Sequence, residues 1–599
     1  MSLFLIRALA ATFALMFIGA AARGDPPQHA IAMHGDPALA NGFERLPYAS
    51  AEARPGGRLR LAALGGFDSL NPYNVKALTA AEGIAGNVYQ TLMFRSADEP
   101  FTLYGLIAES LETDAARDFV TFHLDRRAHF SDGTPITSAD VLFTFELLKT
   151  KGRPPVRAAY GQVARATAPD AYTVRFDLAG ADDRELPLML ALMPVLSSAH
   201  VDVERFVEPT LDIPLGSGPY RVVEATPGRG LKLARDPKFW ARDLPVMRGL
   251  YNFDEITIDY YRDPNAMFEA FKAGLYDVRI EDDGARWRSD YDFPAARRGE
   301  VVVAHIPTGL PKGVSGFAFN TRRAMFNDRE VREALASMFD FEWINANLFG
   351  GVYRRSRGFF DDSELSSVGR PASATERAWL APYPSEVTAD ALEGRSAPPV
   401  TDGTGRDRGL AKAALEKLAR AGYSLKDGAL RDRDGQTLQF EILVKRRIEE
   451  RLALAYQRSL ARIGVAANVR MVDETQFQRR RDRFDFDMAI GTWLATPSPG
   501  GEQRGRWGSA AASQEGAYNL AGVRSTAIDA MIAHLVAAER REDFVAAARA
   551  LDRLLISGAY IVPLYYAPEQ WVAYRSSLAK PPYDPLFGVA LETWWSREP

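Results

Sequence analysis

The sequence predicts an α/β protein of more than one lobe, and three observations carry that expectation. The chain has 599 residues, enough to bury several hydrophobic cores. Short runs with period-two alternation recur along it, and longer runs with helical spacing lie between them. Hydrophobic residues make up 47% and charged residues 25%, the balance of an ordinary globular protein. Strands alternating with helices along a whole chain favour mixed sheets covered by helices.

The first 22 residues stand apart. Arg7 precedes the apolar run ALAATFALMFIGAAA, which ends in small residues. This is the pattern of a secretory signal peptide cleaved after Ala22. Residues 23–57 are punctuated by Pro and Gly without periodicity, and a flexible arm is expected there. Strands are expected at 58–64, 119–124, 172–178, 256–260, 438–444 and 465–472. Helices are expected from TSADVLFTFELLK, where Thr137 and Asp140 form a start signal. In DPNAMFEAFKAGLYD, Asp263 caps, Pro264 opens and Gly274 stops the helix. Runs at 328–340, 408–423 and 449–465 follow the same grammar. Residues 361–407 lack periodicity and read as a long loop that either caps a site or moves.

Charge and motif content exclude several function classes. The net charge is −4 and basic clusters such as FQRRRDRF alternate with acids, so no nucleic-acid partner is expected. There is no cysteine, hence no disulfide, catalytic thiol or thiolate ligand. A lipid-bearing N-terminal cysteine is excluded for the same reason. Seven histidines form no metal-binding pair on a helix face, and no G-x-S-x-G elbow occurs. Neither an enzyme, a metal site nor a cofactor is expected.

What remains is a set of aromatic and amide residues near strand ends and turns. Phe319 and Asn320 end a strand, Tyr518 and Asn519 sit on a turn, and Trp287 lies on a separate segment. The stretch GTWLATPSPGGEQRGRWGS adds Trp493, Gln503, Arg504 and Trp507. Aromatic faces with a few amides suit a pocket for a polar ligand with an apolar body.

The motifs GGFDSLNPYNV, PLGSGPY, RDPKFW, AFKAGLYD, NDREVREALASMFD, FDFDMA and IVPLYY follow one another in this order. In content and order they resemble the peptide/nickel-type extracellular solute-binding proteins of ABC importers, family 5. DLPVMRGLYNFDEITIDYYRD, DFEWINANLFGGVYRR and SPGGEQRGRWGS are similar to its YejA-like oligopeptide-binding branch. The resemblance implies a two-lobed periplasmic clamp of the type II, cluster C kind, with a third, smaller domain. It places lobe I at 55–78, 200–306 and 557–599, the small domain at 79–199 and lobe II at 307–556, after an arm at 23–54. It also implies a monomeric periplasmic receptor that captures oligopeptides, including N-modified peptides or muropeptides, and hands them to an inner-membrane permease and its ATPases. A metal chelate, haem or oligosaccharide on the same scaffold is the alternative. Related peptide receptors carry an aspartate soon after the tryptophan matching Trp493, which pairs with the ligand's amine. Here no acid follows before Glu502. A blocked ligand N-terminus, or a different acid, is therefore expected.

Overall fold

The computed structural model describes residues 26–179 and 184–598, so the leader lies outside the described residues. Two large hydrophobic cores divide the chain. The first gathers buried side chains from Ile31 to Ile306 and takes back Val572, Leu578 and Trp594 from the C-terminal end. The second runs from Val314 to Leu564. A smaller core around Phe271, Trp287 and Trp571 joins helices after residue 264 to the C-terminal strand.

Each large core is built on a mixed sheet. In the first, Arg58–Leu64 pairs parallel with Glu255–Tyr261, and Gly230–Arg235 and Tyr220–Thr226 continue antiparallel. A second, wholly antiparallel sheet of Ala108–Thr113, Phe119–Leu124, Thr173–Leu178 and Val163–Asp170 contributes its apolar face to the same core. The second core has five strands in the order Ala466–Met471, Gln439–Val444, Met488–Trp493, Val314–Phe319, Ile561–Pro563. The first three are parallel and the last two antiparallel to their neighbours. The three-stranded sheet Val278–Glu281, Gln570–Arg575, Val301–Ile306 receives the chain on its return.

Local chemistry accounts for these elements. Thr137 and Asp140 form a reciprocal capping box at the start of helix Ser138–Lys151. The Asp263 carboxylate accepts from the Asn265 and Ala266 amides, with Pro264 in the first turn of helix Pro264–Lys272. In PLGSGPY, a β-carbon on Gly216 would stand 1.9 Å from the Val88 carbonyl oxygen, so only glycine lets these segments meet. Gly313 lies on the crossing between the cores at φ 62°, with its missing β-carbon 2.4 Å from the Trp493 carbonyl oxygen.

Three expectations are corrected. The N-terminal arm is not a free tail: Ala30–Ala32 pairs with Thr102–Gly105, and Leu46 and Tyr48 are buried. A three-residue strand followed by packed irregular chain leaves no periodicity to read. Residues 361–407 are not structureless, for Ala374–Leu380 and Ala389–Leu392 are helices packed on the helix Arg541–Gly558. The Arg553 guanidinium, fully buried, donates to Glu376 at 2.7 Å and to the Arg370 carbonyl at 2.7 Å, which pins the segment. Finally, residue 557 lies inside that helix. Strand Ile561–Pro563 still belongs to the second core, so the chain leaves it only after Leu564.

Candidate functional site

The two cores face each other across a seam. On one side stand His34, Arg117 and Arg184, and on the other Glu539, Arg541 and Phe544. Arg184 lies 3.7 Å from Glu539, and the His34 ring is 4.1 Å from that of Phe544. Both ring nitrogens of His34 are buried without a hydrogen-bond partner among the described residues. Burial, with Arg541, Arg117 and Arg184 adding repulsion, lowers its pKa to about 3.

Between this seam and the crossing strands lies a cavity of about 690 Å³, inside the range of roughly 300–1,000 Å³ usual for ligand sites. Asp98, Gly309 and Leu586 line it from the side of the first core, and residues 362–370, Pro497 and Arg541 from the second. Asp98 accepts from the Tyr583 hydroxyl at 2.7 Å and the Leu586 amide at 3.1 Å. Glu364 pairs with Arg541, which also donates to the Pro497 carbonyl at 3.0 Å. Arg370 donates to the Ser363 and Ser366 carbonyls.

Arg357 borders this cavity and also a second one of about 450 Å³ inside the second core, walled by Ala336, Phe359, Pro398, Leu410, Ile556 and Tyr560. Its backbone is fixed, because the Arg357 and Gly358 amides donate to the Asp361 carboxylate. Its guanidinium has no ion-pair or hydrogen-bond partner among the described residues. Burial, with the nearby buried Asp552 adding to it, pushes the Asp361 carboxyl up to about 7.

The residues singled out from the sequence mostly brace the second core. The Asn320 amide donates to the Phe484 and Phe486 carbonyls, and the Asn519 amide to those of Gly508 and Val523. Phe319 packs on Phe326. Trp493 and Trp507 are buried and stack at 5.1 Å, with Phe359 edge-on to Trp507. Gln503 is buried beside them and donates to Glu502. Trp287 stacks on Trp571 in the smaller core. Two residues remain exposed: Tyr518, under the Arg481 guanidinium at 4.8 Å, and Arg504. Glu502 accepts from the Gly500 amide at 2.8 Å rather than bracing Arg504.

Aromatic and amide residues near strand ends were drawn inward because the second core is thick and its turns need side-chain hydrogen bonds. From the stretch 491–509, the segment 497–500 reaches the seam: Pro497 lines the cavity, and a β-carbon on Gly500 would be 3.0 Å from the Glu185 carboxylate. Sequence reasoning missed Asp98, Arg357, Arg370 and His34. The one available signal was the long segment from residue 361, whose start forms a cavity wall.

The family model of the bacterial extracellular solute-binding proteins, family 5 Middle, matches residues 102–515. A putative binding protein of Brucella melitensis is 47% identical over 602 residues, covering 99% of this chain and 98% of that protein. The peptidoglycan-binding protein YepA of Agrobacterium fabrum is 43% identical, covering 95% of each chain. The probable peptide-binding protein YejA of the same organism is 34% identical, covering 93% and 92%. Among solved structures, the Bacillus subtilis oligopeptide-binding protein AppA, in complex with a nonapeptide, shares the fold. Its TM-score is 0.62 at 20% identity, covering 91% of this chain and all of that one.

Proposed function

The chain belongs to the bacterial extracellular solute-binding proteins of family 5, and from that premise we propose that it is the periplasmic receptor of a peptide-importing ABC system. In this reading the leader is removed, and the monomer works as a free soluble protein, not as a lipoprotein. No helix among the described residues is long and apolar enough to cross a membrane, which fits. The first core with its C-terminal strands acts as lobe I carrying the small antiparallel domain, and the second core acts as lobe II.

The observation that carries the reading is the charged cavity between the two cores. An extended peptide held there pairs its backbone with protein groups and water, and closure about the crossings at 306–314 and after Leu564 encloses it. The closed form is then what the permease and its ATPases engage. Oligopeptides are the ligand class, and the kinship with a peptidoglycan-binding relative supports peptides cut from the cell wall among them. Binding needs no bond cleavage.

Native mass spectrometry of the protein purified from a bacterial periplasm tests this. A ladder of retained peptides or a muropeptide is expected. A retained metal chelate, haem or plain oligosaccharide, with no peptide displacing it, would overturn the assignment.

A further inference from the structure

Six charged residues line the cavity between the cores: Asp98, Arg357, Asp362, Glu364, Arg370 and Arg541. Three of them already have ion-pair partners, because Asp362 meets Arg354 and Glu364 meets Arg541. The other three, Asp98, Arg357 and Arg370, have none among the described residues. They are not scattered. The lone carboxylate stands on the wall contributed by the first core, and both lone guanidinium groups stand on the wall contributed by the second.

Such an arrangement is inexpensive while water fills the chamber. Once a ligand displaces that water, each unmatched charge must meet an opposite one or remain desolvated, which is strongly unfavourable. The fixed geometry on both sides suits that task. Asp98 is held by the Tyr583 hydroxyl and the Leu586 amide on one oxygen, Oδ1, so Oδ2 is left for an incoming donor. Arg357 is anchored through its backbone by Asp361, and its planar fork is left to take a carboxylate or phosphate on two donors.

We infer that the cavity reads a ligand with opposite charges at its two ends, Asp98 taking the cationic amino group and Arg357, with Arg370 on the same wall, taking the anionic end. This rests on the peptide reading above and deepens it. Asp98 then supplies the acid that is missing between Trp493 and Glu502, so a free amine can be held from the opposite lobe. Because the two anchors belong to different cores, a ligand that satisfies both also ties the cores together.

The test is a set of thermodynamic cycles by calorimetry. The probes are penta-alanine with free ends, its N-acetyl form, its C-terminal amide and the doubly blocked form. The proteins are the wild type, Asp98→Asn and Arg357→Gln. Asparagine keeps an oxygen that accepts from Tyr583 and Leu586, so the fold should hold, and an unchanged apo melting temperature checks it. Acetylation should weaken binding to the wild type by on the order of tenfold or more and leave Asp98→Asn indifferent. Amidation should do the same for the wild type and leave Arg357→Gln indifferent. If acetylation harms Asp98→Asn as much as the wild type, or harms neither, the amine is not held at Asp98; the parallel result for amidation removes Arg357. Full binding of all four probes without coupling overturns the anchors and spares the peptide reading. Failure of the wild type to bind any of them overturns both.

Discussion

His34 sits where the two cores meet, and its ring makes ligand affinity a function of pH. In the seam both ring nitrogens are buried and have no hydrogen-bond partner among the described residues. Among the described residues the charged groups that act on the ring are cationic: Arg117 and Arg184 approach from one side and Arg541 from the other, with Phe544 against it. Among the described residues Glu539 pairs with Arg184 and Glu364 with Arg541. The pKa falls from an ordinary 6.5 to about 3 in this state. Parting of the cores would expose the ring to water and remove Arg541, so its pKa would rise towards the ordinary value, with Arg117 and Arg184 still beside it holding it somewhat below. Between those two pH values the open form therefore binds one proton more than the closed form. Closure is favoured fully above pH 6.5 and is lost progressively as pH falls towards 3. One pH unit in that window is worth about tenfold, or ~1.4 kcal/mol. Moving from pH 7.5 to 5.5 should weaken binding of penta-alanine by up to about tenfold. Calorimetry at both pH values on the wild type and on His34→Gln checks it, the variant being nearly flat. Asp361 also titrates in this range, but it is present in both proteins and cancels in the comparison. A wild type with no pH dependence, or a variant with the same slope, refutes the reasoning.

Other outcomes follow from the packing. Arg553→Met strands the buried Glu376 carboxylate and should lower apo stability by about 3–5 kcal/mol in denaturant melts. Conversion of both to apolar residues should recover much of the loss. Gly216→Ala forces a β-carbon against the Val88 carbonyl oxygen and should lower stability by about 1–3 kcal/mol, read by thermal unfolding. Arg504→Ala removes an exposed side chain with no hydrogen-bond or ion-pair partner among the described residues, so apo stability should change by no more than about 0.5 kcal/mol in thermal unfolding. A fall in peptide affinity in that variant would place Arg504 at the ligand.

Regular elements with long periodic faces were legible. The caps at Thr137 and Asp263 and the strands from Arg58 to Leu64 and from Phe119 to Leu124 are all as the residue spacing implies. The family resemblance is borne out by the family match and by relatives of the YejA kind. The short elements escaped. Ala30–Ala32, Ala389–Leu392 and Ile561–Pro563 have three or four residues, too few to show a period, and they are held by partners far away in the chain. The site escaped for a different reason. Trp493, Asn320 and Asn519 carry the chemistry of a pocket, but burial in the second core turns it to bracing. Asp98 and Arg357 look like ordinary surface charges in the sequence. Only their lack of ion-pair partners among the described residues, on opposite walls of one cavity, sets them apart, and that is a property of three dimensions.

The helix Arg541–Gly558 has a mechanical consequence. Its 18 residues span about 27 Å. Its first turns carry Arg541 and Phe544 at the seam, its middle holds Asp552 and Arg553 against the segment that bears Arg357 and Arg370, and its end feeds the strand at the crossing. If the cores move as proposed, a rod held at three such stations would work as a lever. A displacement at its tip would then be passed to the cavity wall and to the crossing without any relay of side chains. Changes on its buried face should thus alter how tightly the ligand is held and how fast the jaws swing together, even where they touch no ligand at all.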